Sequence, residues 1–326
     1  MASQAHDVYY LTAVTWQDNQ PWLRVHTDDP PSVEAIEARD LHLRFRINDE
    51  MARRCIGRLE RSRDGSAYVD CKSPPTTGRQ CKRCQIVDNM SAADMHQAHR
   101  KGRDAIDRRM AAYLSHPHRL YVAIFRDGST KIGTTRGTSG GQRLAEQGAW
   151  FAKYVGHVDD GFLVRELEDL ISESLKLGQA VDTRKKISGH LRAQNDNELK
   201  TTLEDVTLEV SEVLKTSNIE GCTSLNEEWS NPAIGDPHWQ DLRAYPAALT
   251  SGAHEFTVHS MVGRLAACTR TGLTEVFIVD LQPLLGRPLE RGEFELDELV
   301  QRAVSYTHLR AHETLRYLVC RLLLEK

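Results

Sequence analysis

No stretch of eighteen consecutive apolar residues occurs in the sequence, so no helical membrane span is read from it. Met1 to Asp7 carries no basic patch leading into an apolar run, so no signal peptide is read and a cytoplasmic address without a membrane partner is expected. Internal repeats and low-complexity tracts are lacking too, so no repeat architecture is read. Disulfide chemistry is poorly served: the seven cysteines are odd in number, and four of them crowd into thirty residues. That distribution fits thiolate metal ligation in a reducing compartment better than a secreted disulfide framework.

What is present is enough chain, 326 residues with 40% hydrophobic, to bury a core in each of two or three domains. The net charge of −4 hides an uneven distribution. Residues 51–110 hold fourteen Lys/Arg against seven Asp/Glu, whereas residues 197–250 hold three against ten. A basic segment around the cysteines suits a polyanion such as DNA or RNA, and it equally describes a solvated, salt-bridged surface.

Period-two alternation opens the chain. Val8 to Trp16 and Pro21 to His26 read as strands about the turn Gln17-Asp18-Asn19-Gln20, and Leu41 to Ile47 sets Leu41, Leu43, Phe45 and Ile47 on one face. Between Asn89 and Ser115 apolar residues recur at helical spacing, with Ser91 a candidate cap and Pro117 a stop. Leu120 to Phe125 and Thr130 to Thr134 form a hairpin about Arg126-Asp127-Gly128. A loop at 137–141, a short helix from Gln142 to Gln147 and a strand from Phe151 to Val158 follow. Asp159-Asp160-Gly161 then turns into a helix striped with Leu163, Leu167, Leu170, Ile171 and Leu175. Farther on, Leu199 to Leu214 reads as a helix, the stretch holding Pro232, Pro237 and Pro246 as irregular, and Phe256 to His259 and Glu275 to Asp280 as strands.

The expected architecture is therefore α+β, built of modules: a β-rich region 1–50, a cysteine module 51–90, a helical connector 91–118, a hairpin and helix domain 119–178, and an acidic helical and β region 179–304. Residues 305–326, from Ser305-Tyr306-Thr307-His308-Leu309-Arg310-Ala311-His312-Glu313-Thr314 onward, resemble a translated sequencing adapter. That resemblance marks them as non-native and removes Cys320 from the cysteine count.

Cys81-Lys82-Arg83-Cys84 places two thiolates on one tight turn, and Cys55 and Cys71 can supply the other two ligands of a tetrahedral structural zinc. A closed set of four thiolates leaves no open position, which makes such an ion a staple. A redox pair at Cys81 and Cys84, or four ordinary buried thiols, are the competing readings. Cys222 and Cys268 read as small apolar residues.

Cutting a phosphodiester needs activated water, a cation on the phosphate and help for the leaving oxygen. Tyr121 on one strand and Lys131 on the other lie across the hairpin, where neighbouring side chains approach closely enough for an ammonium to favour phenolate. Arg143 offers a planar fork for phosphate, and Glu168 a carboxylate for magnesium. Singly these residues also read as a core tyrosine, solvated cations, and a glutamate in an exposed ion pair with Arg165 or Lys176. Glu166 flanks the opposite edge of the stripe. Trp150, Phe151 and Tyr154 are base-stacking or core aromatics; His116, His118, His254 and His259 show no partner spacing.

Over Arg119 to Leu177 these residues resemble the GIY-YIG nuclease family. Leu120-Tyr121-Val122 stands for the first triplet and Lys131-Ile132-Gly133 for the second, with Lys131 where a second tyrosine is usual. The resemblance implies Tyr121 as water activator, Arg143 as phosphate clamp and Glu168, within Leu167-Glu168-Asp169-Leu170-Ile171, as magnesium ligand. Cysteine module and hairpin together look like an uncharacterised actinobacterial family, DUF2797, across most of residues 40–290. The expectation is a zinc-stapled, magnesium-dependent nuclease acting on nucleic acid, or alternatively a zinc-containing nucleic-acid-binding protein without catalysis. Oligomeric state is not readable.

Overall fold

The computed structural model describes residues 7–76, 78–137, 140–217 and 219–296. The adapter-like segment with Cys320 lies outside the described residues, as do Thr138 and Ser139 of the expected loop. Among the described residues, no helix is long and apolar enough to cross a membrane.

The chain is α+β, and its two ends meet in one sheet. Strands β1 (Val8–Gln17), β2 (Gln20–Asp28), β3 (Pro31–Glu37) and β4 (Leu41–Ile47) come from the start. From the other end come β11 (Arg243–Ala244), β12 (Gly252–Val262), β13 (Leu265–Thr269), β14 (Val276–Asp280) and β15 (Pro288–Arg291). They interleave in the order β11-β14-β13-β12-β4-β15-β1-β2-β3, so regions far apart in sequence share one core. All pairings are antiparallel except β11 with β14. The β1–β2 connection follows from its residues: Asp18 and Asn19 both hold positive φ, 48° and 63°, as a two-residue turn between right-twisted strands requires. Alternation in β4 buries Leu43, Phe45 and Ile47 beside Phe256 and Val258 of β12. Each such side chain contributes roughly 1.5–3 kcal/mol by leaving water.

A second sheet holds β7 (His118–Ile124), β8 (Thr130–Arg136), β9 (Phe151–Val158) and β10 (Cys222–Ser230), in the order β10-β9-β7-β8. Central β7 is buried on both faces, which is why it reads as a nearly continuous apolar run. Leu120, Val122 and Ile124 face one core, and Tyr121 and Ala123 another. Helices α3 (Gln142–Gln147), α4 (Gly161–Leu175), α5 (Thr183–Leu191) and α6 (Asp196–Ser217) surround this sheet. Asp160 starts α4 by accepting from the Phe162 and Leu163 amides, each at 2.9 Å, and Lys176 ends it in a left-handed conformation. Trp150, Phe151 and Tyr154 are core residues here and offer no stacking platform.

Three expectations need correction. The helix assigned to Asn89–Ser115 is two: α1 (Lys82–Lys101) starts far upstream of Ser91 and stops at Gly102, whose φ of 81° suits glycine, and α2 (Arg108–Leu114) is capped anew by Asp107. Cys81-Lys82-Arg83-Cys84 is accordingly the start of a helix and not a free-standing turn. The stretch after α6 is not irregular throughout, because β10 adds to the edge of β9; its largely exposed side chains hide the alternation that would mark a strand.

Candidate metal centre and cationic cleft

Cys55, Cys71, Cys81 and Cys84 bring their Sγ atoms within 4.8 Å of one another. With metal–sulfur bonds of about 2.3 Å, tetrahedral ligands lie about 3.8 Å apart; Cys71 and Cys81 are separated by 3.7 Å. The four cysteines can therefore hold a metal ion. Their delivery is local. Cys55 precedes the hairpin of β5 (Arg58–Ser62) and β6 (Gly65–Val69), Cys71 follows it, and Cys81 and Cys84 sit at the N-terminus of α1. Gly57 makes the closure possible: its φ is +76°, and a Cβ there would meet the Val69 carbonyl oxygen at 2.3 Å.

The amides of Gly57 and Cys81 donate to Cys55 Sγ at 3.4 and 3.2 Å, and Arg58 approaches Cys84 Sγ at 4.0 Å. No acidic residue occupies the first turn of α1, so thiolates there meet its positive end. Burial pushes the Cys84 thiol up to about 12 and raises Cys55. Cys71, against its own burial, is held down to about 7 by hydrogen bonds from Ser73. A divalent cation bound there would displace the thiol protons and supply the positive charge that buried thiolates need.

The four residues singled out for phosphodiester chemistry lie close together, but not in one open pocket. Tyr121 is fully buried, and its hydroxyl donates to Gln147 Oε1 at 3.1 Å. Lys131 is buried and donates from Nζ to the Gln179 carbonyl at 3.1 Å, its ammonium 6.0 Å from the Tyr121 ring centroid. Glu168, also buried, is paired with Arg165 one helical turn away, and that ion pair is buried where an exposed one was the competing expectation. Arg143 alone is open, with half its side chain exposed and Glu146 at 3.6 Å. Burial pushes Tyr121 up to about 12, so in this arrangement the phenol keeps its proton. Burial, then the like charge of Arg143, pulls Lys131 down to about 8 while Glu168 acts the other way. Both groups thus feel Arg143 and Glu168, which places the four in one electrostatic neighbourhood.

The α4 face turned to the sheet is not quite the predicted stripe: Leu167 and Ile171 are buried, but Val164, Arg165 and Glu168 join them, while Glu166 is exposed. Arg165 reaches a cleft of about 400 Å³ that Arg143 also lines. Two further cations enter it, Arg61 from β5 and Arg136 from β8. Burial first, and the like charges of Arg143 and Arg165, pull the Arg61 guanidinium below its ordinary value. Sequence reasoning missed Arg61, Arg136 and Arg165 as site residues because they come from three elements; the basic surplus of residues 51–110 pointed to the first.

A family model described as Protein of unknown function (DUF2797) matches residues 41–243, from β4 through the cysteine module and the second sheet to the start of β11. The chain belongs to the DUF2797 family. No curated protein and no solved structure matches it. Within this DUF2797 chain the metal-capable hairpin and the cleft are one assembly: Arg136 donates to the Arg63 carbonyl at 2.5 Å, and Arg100 of α1 to Asp169 of α4 at 2.7 Å.

Proposed function

We propose that this chain is a zinc-stapled nucleic-acid-binding protein, its hairpin and helix unit of GIY-YIG type serving as a phosphate-recognition surface. The observation that carries this reading is the convergence of Arg61, Arg136, Arg143 and Arg165 on one cleft, where Asp64 and Glu146 are the lining acids among the described residues. Guanidinium groups match phosphate oxygens in fork geometry, and a surplus of them has a polyanion as its natural counterpart. Zinc suits four thiolates in a closed set, and the staple fixes the hairpin that presents Arg61.

A magnesium site does not fit this arrangement. Glu168 is already neutralised by Arg165, and further cations flank it, so no step is derived through such an ion. Phosphodiester hydrolysis is the second reading, favoured by the closeness of Tyr121, Lys131 and Glu168; it needs Glu168 free of Arg165.

Binding of a labelled oligonucleotide across a salt series tests both. Recognition by the cleft predicts affinity that falls steeply with salt and weakens in Arg143→Ala, with no cutting in magnesium. Magnesium-dependent nicking that Glu168→Ala abolishes in protein that remains folded would establish the second reading instead. An absence of binding at low salt would reject both.

A further inference from the structure

The cleft contains polar groups that have no partner among the described residues. Arg136 Nε, Arg165 Nε and Thr134 Oγ1 make no hydrogen bond, although all three side chains belong to residues at least nine-tenths buried and line the same recess. Buried donors left unmade are costly, and three in one wall ask for a common acceptor. Arg136 is otherwise fixed, donating from Nη2 to the Arg63 carbonyl and lying 5.4 Å over the Tyr113 ring. Arg165 is fixed by Glu168. Both guanidinium groups are therefore held in place, with their Nε–H groups closed to water in this arrangement and reached by an acceptor only as the recess opens around it.

Charge and shape narrow the acceptor. Even with Glu168 counted against Arg165, the guanidinium groups outnumber the carboxylates of Asp64 and Glu146. The volume of about 400 Å³ is that of a small-ligand site. Its walls come from the end of β1, the β5–β6 hairpin, α1, α2, the start of β7, β8, α3 and α4, so a group held in it is met from several sides, as the end of a chain can be. Tyr68, on the hairpin and 42% exposed, offers a ring face at the same cleft.

We infer that this recess takes a single terminal phosphate of a nucleotide, held by the Nε–H groups of Arg136 and Arg165 and the hydroxyl of Thr134, with Tyr68 against the attached base. The inference rests on the nucleic-acid-binding reading and narrows it from a polyanion to a nucleotide end. Two sources carry that chemistry, a free nucleoside monophosphate and a phosphorylated single strand.

Fluorescence anisotropy on the full metal-loaded chain separates the cases, with probes that are a single strand bearing a terminal phosphate, the same strand ending in hydroxyls, and a closed duplex without ends. The phosphorylated strand is expected to bind roughly tenfold tighter than the other two, as for one charge-assisted hydrogen-bonded group. Thr134→Val, nearly isosteric, should narrow that preference several-fold at unchanged melting temperature, and Tyr68→Ala should weaken the strand without altering affinity for inorganic phosphate. If adenosine monophosphate binds and no strand does, the recess is a mononucleotide site, and the nucleic-acid reading falls while the recess assignment stands. Equal affinity for all three probes, or a phosphate preference untouched by Thr134→Val and by Arg136→Gln, overturns the recess and leaves nucleic-acid binding intact. No binding of any probe, adenosine monophosphate or inorganic phosphate overturns both.

Discussion

Gly133 lies beneath the ring of Tyr121, its cross-strand partner, so closely that a Cβ at Gly133 would sit 2.6 Å from both Cζ and Oη of the tyrosine. The two triplets that stand out in the sequence are thus one packing unit: the glycine of β8 makes room for the phenol of β7. Gly133→Ala is expected to destabilise the protein by about 1–3 kcal/mol, since a fully buried ring has nowhere to retreat. Tyr121→Phe keeps the ring and loses only the bond to Gln147, for about 1 kcal/mol. Urea unfolding of both variants checks this, and a Gly133→Ala protein as stable as the wild type would contradict the packing.

The cysteine cluster makes a prediction independent of any ligand. Purified chain should carry one divalent metal ion, expected to be zinc by elemental analysis. Strong chelation should release it, expose four further reactive thiols and lower the melting temperature, because the hairpin has little apolar core apart from the cluster. Cys84→Ala, which removes a fully buried ligand, should lose the metal under conditions where Cys268→Ala does not.

The parts of this fold that were readable share a physical property: their signals are local. The Asp18-Asn19 turn, the alternation of β4, the run of β7 and the turn into α4 at Asp159-Asp160-Gly161 each lie within a few residues, and each lies where its pattern put it. The pairing of β4 with both β12 and β15 was not readable, because register between strands two hundred residues apart leaves no periodic trace in either. Ser91 misled for a similar reason. A serine inside a helix and one at its start look alike in sequence, and α1 begins at Lys82 with Cys81 at its cap position. At the candidate site, Tyr121, Lys131, Arg143 and Glu168 were legible as a group, but the burial of Tyr121, Lys131 and Glu168 was not: α4 packs on β7 and β8, and the Gln179 carbonyl receives the Lys131 ammonium. Arg165 was seen only as a surface partner for Glu168.

Two buried histidines give the protein a predictable acid response. Burial pulls His118 down to about 4 and His190 to about 3, and His118 Nδ1 sits 2.8 Å from the His116 carbonyl, which suits a neutral ring that donates there. An unfolded chain protonates both near the ordinary value of about 6.5. As pH falls below that value the unfolded state takes up protons first, so stability declines through the interval down to about 4, where the His118 contribution levels off. Between pH 7 and 5 the His118 share is on the order of 2 kcal/mol. His118→Gln should flatten that decline in urea melts at matched metal content; an equally steep decline in the variant would mean that other groups set it.

The buried pair of Arg165 and Glu168 sets the last expectation, and it bears on every functional reading. Removing one partner strands the other charge at a largely buried position beside the cleft, so Glu168→Ala should cost about 3–5 kcal/mol by itself. Replacing both with apolar residues of similar volume, Arg165→Met with Glu168→Leu, removes the stranded charge and should recover most of that loss. Denaturation of the two proteins separates a structural ion pair from a functional one. Recovered stability together with lost phosphate binding would place Arg165 in recognition. If stability recovers and binding survives, the pair serves the fold alone, and Arg61, Arg136 and Arg143 are left as the cations of the cleft.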